Sequence, residues 1–300
     1  MSPPGPISRH RPPRGAHPPH AVAAVIAAVV GGATAGAEPP PPDKPGFSPA
    51  NPTPRGFMRP MSTDRPDTTE SPYTVEAGRV QVELSFVDVT HDRDEETATK
   101  SLAVAPVLLK IGLSDNADLQ LGFDPYVREK STDRAANASE TIDGFGDTTL
   151  RLKINLWGND GGDTAFALMP FVTLPTASDG LGSAHVEGGL ILPFAVAVGE
   201  RTGLGFMAEL DLNHSGDGER TVVDFVHTAT IGHDLTDKVG VYAEYAGFAN
   251  LNHDEPYRAY LDAGMTYSPS DDVQYDAGVR IGLNREADDL GLFAGVSVRY

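Results

Sequence analysis

Arg151 and Lys153, and likewise Glu209 and Asp211, stand two positions apart in this chain. Glu83, Asp124, Glu187, Glu244, Asp262, Asp276 and Arg280 occupy similar places, most of them between apolar neighbours. In a β-strand successive side chains point to opposite faces, so such spacing gathers charge on one face and apolar groups on the other. On the inner face of a closed sheet these side chains would line a lumen. Rings of carboxylates there favour cations, and basic residues favour anions. The competing expectation is that the charges pair with one another and fill a narrow interior. Pairing is favoured, because an unpaired charge in a confined space is costly.

Other chemistries find weaker support. His185, His214, His227, His233 and His253, with serines such as Ser183 and Ser215, supply the residue types of a hydrolase on a barrel wall. No nucleophile motif surrounds them, so the chain is not expected to be an enzyme. The same histidines lack the spacing of a metal site. Asp92-Arg93-Asp94-Glu95-Glu96 and Asp288-Asp289 lack the ligand rhythm of a calcium loop and read as solvated outer loops. Gly144-x-Gly146 is followed by no lysine, which dismisses a phosphate loop. No cofactor or metal is expected.

Composition narrows the class. The net charge of -19 over 300 residues leaves no basic patch for a nucleic acid. With no cysteine there is neither a disulfide framework nor a thiolate site. The slightly negative mean hydropathy argues against a multi-helix membrane protein. It suits a transmembrane barrel, where only alternate residues face lipid.

The elements that would carry these charges are strands. Val80, Val82, Leu84 and Phe86 alternate with Gln81, Glu83 and Ser85, and the same period runs through 148–156, 204–213 and 273–283. Alternation over about 9–11 residues is the length a tilted strand needs to cross a bilayer. Extended along the chain, the pattern predicts twelve strands, near 79–90, 100–113, 118–127, 145–157, 164–174, 185–198, 203–213, 221–235, 239–248, 258–267, 273–283 and 291–300. Those at 100–113, 164–174 and 221–235 alternate poorly. The gaps between strands run long then short, beginning with 91–99, 114–117 and 128–144, as in barrels with long outer loops and short periplasmic turns. An even count beginning with a long gap puts both ends of the barrel at the periplasm. Tyr267, Tyr275 and Tyr300 then fall in one lipid-facing aromatic girdle, and Phe86, Phe123 and Tyr245 in the other. The last strand carries Gly295, Val298 and the terminal Tyr300 at the spacing of an outer-membrane assembly signal.

Ahead of the barrel, Arg9, Arg11 and Arg14 precede an apolar run from Ala21 to Val30 and a small-residue stretch ending at Ala37. That layout predicts a secretory signal peptide over residues 1–37, since the run falls well short of the roughly 20 residues a spanning helix needs. Residues 38–66 are crowded with proline and read as an extended spacer. The barrel is expected over 67–300.

The segment Thr63-Asp64-Arg65-Pro66-Asp67-Thr68-Thr69-Glu70-Ser71-Pro72, with Tyr73 to Gly78 after it, resembles the opening of the transporters grouped under the phenol-degradation (MetA-type) pathway. Gly144-Phe145-Gly146-Asp147, the run Pro170 to Ala177, and Val273-Gln274-Tyr275-Asp276 are similar to that family's pattern as well. The resemblance covers Thr63 to Tyr300 and implies an outer-membrane barrel with a transport role; it carries no set of functional residues. The expected function is therefore a transporter or channel for small solutes, hydrophobic or aromatic ones among them. Its expected partners are outer-membrane lipid, the outer-membrane assembly machinery and those solutes. A structural or surface-interaction barrel working through its outer loops is the alternative, and a barrel hydrolase a weaker one.

Overall fold

The computed structural model describes residues 46–300 apart from 216, 217 and 219. The signal peptide expected over 1–37 and the first part of the proline-rich spacer lie outside the described residues.

Apart from one turn of 3-10 helix at Arg55–Phe57, the regular structure described is strand. In chain order the segments are β1 (Val80–Arg93), β2 (Thr97–Val104), β3 (Val107–Ser114), β4 (Ala117–Phe123), β5 (Tyr126–Asp133), β6 (Ala138–Gly144), β7 (Thr148–Trp157) and β8 (Thr164–Leu174). There follow β9 (Glu187–Ala197), β10 (Thr202–His214), β11 (Thr221–Asp234), β12 (Val239–Asn250), β13 (Arg258–Ser270), β14 (Val273–Gly282) and β15 (Leu290–Arg299). Three wall strands are each broken in two. β1 pairs with β2 along its outer half and with β3 along its inner half, and β5 and β4 continue that division. β6 and β7 make the third broken strand. Pairing of β15 with β1, Gln81 opposite Arg299, closes the sheet. The result is a closed, twelve-strand antiparallel barrel of the outer-membrane type, with the twelve strands near their expected places.

The pleat sorts side chains as expected. Leu119, Leu121, Leu156, Phe206, Leu212 and Leu261 stand exposed on the outer surface, where lipid covers them. Tyr267 opposes Tyr275 near the end at which β1 starts and β15 finishes. By the rule of short turns this end is periplasmic, with 115–116 and 271–272 as its tightest connections.

Two expectations need correction. The gap at 128–144 is not an open loop: β5 and β6 pair from Val127↔Gly144 to Asp133↔Ala138 and carry the sheet beyond the rim as a hairpin. Its residues are polar on both faces because both faces meet water, so no apolar alternation marked it. With this hairpin and the longer β1 and β2, the connections 94–96 and 134–137 become short, and the long-short order holds only for the later part of the barrel.

The spacer expected over 38–66 also ends too late. From Arg59 onward the chain turns into the barrel and is held there by hydrogen bonds to wall residues. Proline content signalled an extended backbone but could not show that the extended backbone has a socket.

Candidate functional site

The lumen is occupied by the chain's own residues 59–78, which enter from the periplasmic end, turn back near mid-height and leave toward β1. Both limbs meet at the entrance: the Arg59 guanidinium donates to the Asp115 and Thr74 carbonyls at 3.0 and 3.1 Å. Beside them, Glu76 accepts the Arg59 amide at 2.6 Å and lies 3.4 Å from Arg299 of β15. The descending limb runs so close to β3 that a Cβ on Gly112 would collide with the Glu76 carbonyl, which is why glycine stands there.

The turn of this plug is fastened by charge. Asp64 accepts from Lys110 at 2.5 Å and Lys153 at 2.6 Å, all three side chains being almost fully buried. Lys110 also pairs with Glu83, whose carboxylate receives the Asp64 backbone amide at 3.1 Å. Burial alone would raise the Asp64 carboxyl, but the two ammonium groups outweigh it and hold it well below the ordinary carboxylate range. The Arg65 guanidinium donates to both Asp276 oxygens, at 2.7 and 3.1 Å, a charge-assisted two-point contact that fixes orientation as well as distance. Glu244 accepts the Thr68 and Thr69 amides, each at 2.7 Å, and Glu70 pairs with Arg151. Lower on the plug, the Asn155 amide donates to the Pro72 carbonyl at 2.9 Å, and Asp118 accepts the Val75 amide at 2.9 Å.

Of the wall residues singled out in the sequence, Glu83, Arg151, Lys153, Glu244 and Asp276 thus meet the plug. Asp262 and Arg280 instead pair with each other at 3.1 Å across β13 and β14. Glu187 receives the His214 amide at 2.9 Å, and Glu209 and Asp211 stand two positions apart on β10. Gly295 faces inward, where a Cβ would strike the Arg65 guanidinium. Val298 pairs with Val82 and Val273, and the Tyr300 amide donates to the Val80 carbonyl at 2.8 Å. Ser183 meets His185 through the histidine's backbone amide, not through its ring. Among the described residues no cluster of three or more His, Asp or Glu has the geometry to hold a metal ion.

Sequence reasoning missed two parts of the site. The first is the plug's own charges, Asp64, Arg65, Glu70 and Glu76, with Lys110, Asp118 and Arg299 as wall partners; Lys110 was masked because its strand is broken after Val104. The second is an apolar strip on the inner face. Met169, Ile191, Met207 and Val226 form one buried cluster there, with Phe171 and Phe248 against it. β8 alternated poorly for this reason, its lumen side being apolar too, whereas β11 mixes Asp224 and Thr228 with Val226 on its lumen face and carries His227 and His233 on its outer one.

Between the plug's turn and the outer half of β3, β4 and β7 lies a cavity of 280 Å³. Asp64, Arg65 and Glu70 of the plug line it on one side, and the wall lines it with Glu83, Ser85, Asp124, Asp147, Thr149 and Arg151 beside the apolar Pro106, Leu108 and Phe123.

The short segments that carried the family resemblance are brought together in pairs. Thr63 and Arg65 of the opening segment bond Gln274 and Asp276 at the start of β14. Asp147, after β6, accepts the Thr176, Ala177 and Ser183 amides of the outer loop 175–186 at 2.7–2.9 Å.

Several solved barrels are similar in shape. The NanC porin shares 8% identity at a TM-score of 0.47, the match covering 73% of this chain and 98% of that one. The translocator domain of the autotransporter NalP from Neisseria meningitidis shares 12% at 0.46, covering 74% and 88%. The CymD monoaromatic hydrocarbon channel shares 9% at 0.41, covering 74% and 87%. No curated protein matches the chain. A family described as "Putative MetA-pathway of phenol degradation" matches residues 63–300. That match begins in the plug and ends on the terminal tyrosine, and the chain belongs to this family.

Proposed function

We propose that this protein is an outer-membrane channel for small solutes, apolar and aromatic ones included, which conducts when the plug shifts within the lumen. The carrying observation is how the plug is held. Its contacts with the wall are ion pairs and hydrogen bonds on one side of the lumen, with an apolar strip facing them on the other. Directional polar contacts can be exchanged for water one by one, whereas an interior sealed by apolar packing yields only by unfolding. Twelve strands also lie between the eight that side chains fill and the 16–18 that leave a wide aqueous pore, so a movable filler suits this girth. The apolar strip supports a preference for solutes with hydrocarbon surface. Assembly through the last strand and its Tyr300, and the absence of catalysis, belong to the same reading.

The test uses the chain's lack of cysteine. Thr69 and Thr228 touch through their hydroxyls at 2.6 Å, so T69C with T228C pins the plug to β11 when oxidised. Conductance in planar bilayers is expected to fall at least tenfold on oxidation and to return on reduction. Equal conductance in both states would overturn plug gating. A protein that passes no solute in either state would overturn transport and favour the surface-interaction reading, for which the projecting β5–β6 hairpin is the natural contact.

A further inference from the structure

The wall is interrupted at one height on one side. Leu84↔Val107 and Val87↔Val104 bracket Ser85-Phe86 opposite Ala105-Pro106, with no ladder pairs between them. At the next interface, Val107↔Phe123 and Val104↔Tyr126 bracket the same two residues opposite Asp124-Pro125. At the third, Phe123↔Thr148 and Val127↔Gly144 bracket Asp124–Tyr126 opposite Phe145–Asp147. Isolated backbone bonds span the first and third gaps, Ser85 to Pro106 and Gly146 to Asp124, both at 2.9 Å. Pro106 and Pro125 have no amide hydrogen with which to continue the ladder. Ala105 adopts φ 57°, a left-handed conformation that alanine avoids.

Both faces of this seam are dressed for passage. Inside, the 280 Å³ cavity touches residues flanking every gap, Ser85, Pro106, Phe123, Asp124 and Asp147 among them. Outside, Phe86 and Phe145 are 49% and 46% exposed to the lipid side, and Phe123 lies 6.5 Å from Phe145. Below the cavity the route along the barrel axis is filled by the plug. At the third gap the Phe145 backbone turns to the outer loop, accepting the Ser178 amide at 2.9 Å and donating to its hydroxyl at 3.1 Å, so the missing ladder pairs ringed by phenylalanine form a seam and not a continued sheet.

We infer that this seam is a lateral portal, through which a small aromatic or apolar solute passes from the cavity into the lipid at the outer membrane interface. The ring would lie against Pro106, Leu108 and Phe123, and a hydroxyl on it would meet Ser85 or Thr149. Asp147 ties the outer loop 175–186 to the portal's edge through its three amide contacts. This inference rests on the channel reading above and names its exit.

The test bolts the seam in the full chain. By continuity of register Phe86 faces Ala105 and Tyr126 faces Phe145, so F86C with A105C, together with Y126C and F145C, spans two gaps with disulfides. Uptake of radiolabelled toluene is followed in vesicles with a lipopolysaccharide outer leaflet, with disulfide formation confirmed by mass. Oxidation is expected to slow uptake at least tenfold, and reduction to restore it, with potassium chloride conductance unchanged. Bolted protein that takes up toluene as fast as reduced protein overturns the portal and leaves the channel reading standing. Reduced protein no faster than protein-free vesicles overturns both. A second variant needs no oxidation: P106A with P125A restores two ladder donors and is expected to slow uptake several-fold. Unchanged uptake by that variant also counts against the portal.

Discussion

The two sides of the lumen hold the plug differently. From β1 through β7, and again from β12 through β15, the wall meets it with Glu83, Lys110, Lys153, Arg151, Glu244, Asp276 and Arg299. From β8 through β11 it presents Ala165, Ala167, Met169, Ile191, Met207 and Val226 at the height of the plug, with Glu187, Glu209 and Asp211 nearer the outer end. Ties to the plug on that side are slight, the Thr69–Thr228 contact and the Glu70 amide 3.5 Å from the Met207 sulfur. Charge-assisted bonds set where the plug sits, because they depend on direction and distance. Apolar burial is non-directional and sets only that water is kept out. A plug fixed on one side and merely covered on the other can detach without dismantling the barrel.

The largest expected effect is at Asp64. D64A leaves the Lys110 and Lys153 ammonium groups buried without their shared partner, a change of about 3–5 kcal/mol for a broken buried pair. Hydrogen exchange should then show residues 62–78 losing protection while the strands keep theirs. Adding K153M to D64A should recover part of the loss. Plug amides as protected in D64A as in the parent chain would break the contrast between the two sides.

M207A is expected to act on the other side of it. Removing a buried methionine side chain costs roughly 2–5 kcal/mol in a core, and here the strip borders a polar lumen, so the low end applies. The expected readout is a lower unfolding midpoint for the barrel, with plug protection nearly unchanged. If M207A freed the plug as D64A does, the apolar strip would be a holding surface and the asymmetry would be lost.

How much of this the sequence disclosed follows the same division. Strands with opposed faces, such as Thr148–Trp157 with Arg151 and Lys153 inward, announce both their period and their charges. β8 does not, because Ala165, Ala167 and Met169 face the lumen while Phe166 and Leu168 face out, and an all-apolar strand has no period to read. The plug was harder still. Thr63 to Gly78 is marked by a family resemblance and by proline, but its partners are up to 223 positions away, as with Glu76 and Arg299. Local pattern carries no information about pairing at that separation. β5 and β6 were missed for the opposite reason to β8, being polar on both faces.

pH should sharpen the comparison at the plug's turn. Burial, with Glu244 nearby, pushes the Asp67 carboxyl up to about 8. Burial also lifts Glu70 to about 6 despite the pull of Arg151. A carboxyl whose value is raised in the docked state favours docking while protonated. That contribution is full below the ordinary carboxylate range of about 4 and is lost as pH rises through about 6 and then 8. Conductance is therefore expected to increase several-fold from pH 5 to pH 9. D67N should remove the part of the rise above pH 7, since an amide cannot ionise. A flat profile in the parent chain would mean that these carboxyls stay solvated when the plug is docked.

The smallest effect expected concerns two ion pairs of similar geometry. Arg201 and Asp237 lie 3.3 Å apart at a periplasmic turn, with side chains 53% and 94% exposed, whereas Arg280 and Asp262 lie 3.1 Å apart with Asp262 fully enclosed. An exposed pair contributes about 0–1 kcal/mol, and salt screens it, so R201Q should leave the thermal midpoint unchanged within error. R280Q leaves a carboxylate enclosed without its guanidinium and should lower the midpoint measurably, even at high salt. Adding potassium chloride to both variants separates the causes, because screening reaches the turn and not the lumen wall. Equal shifts for the two variants would mean that water reaches Asp262 freely, and the charged side of the lumen would then be a hydrated surface, not a socket.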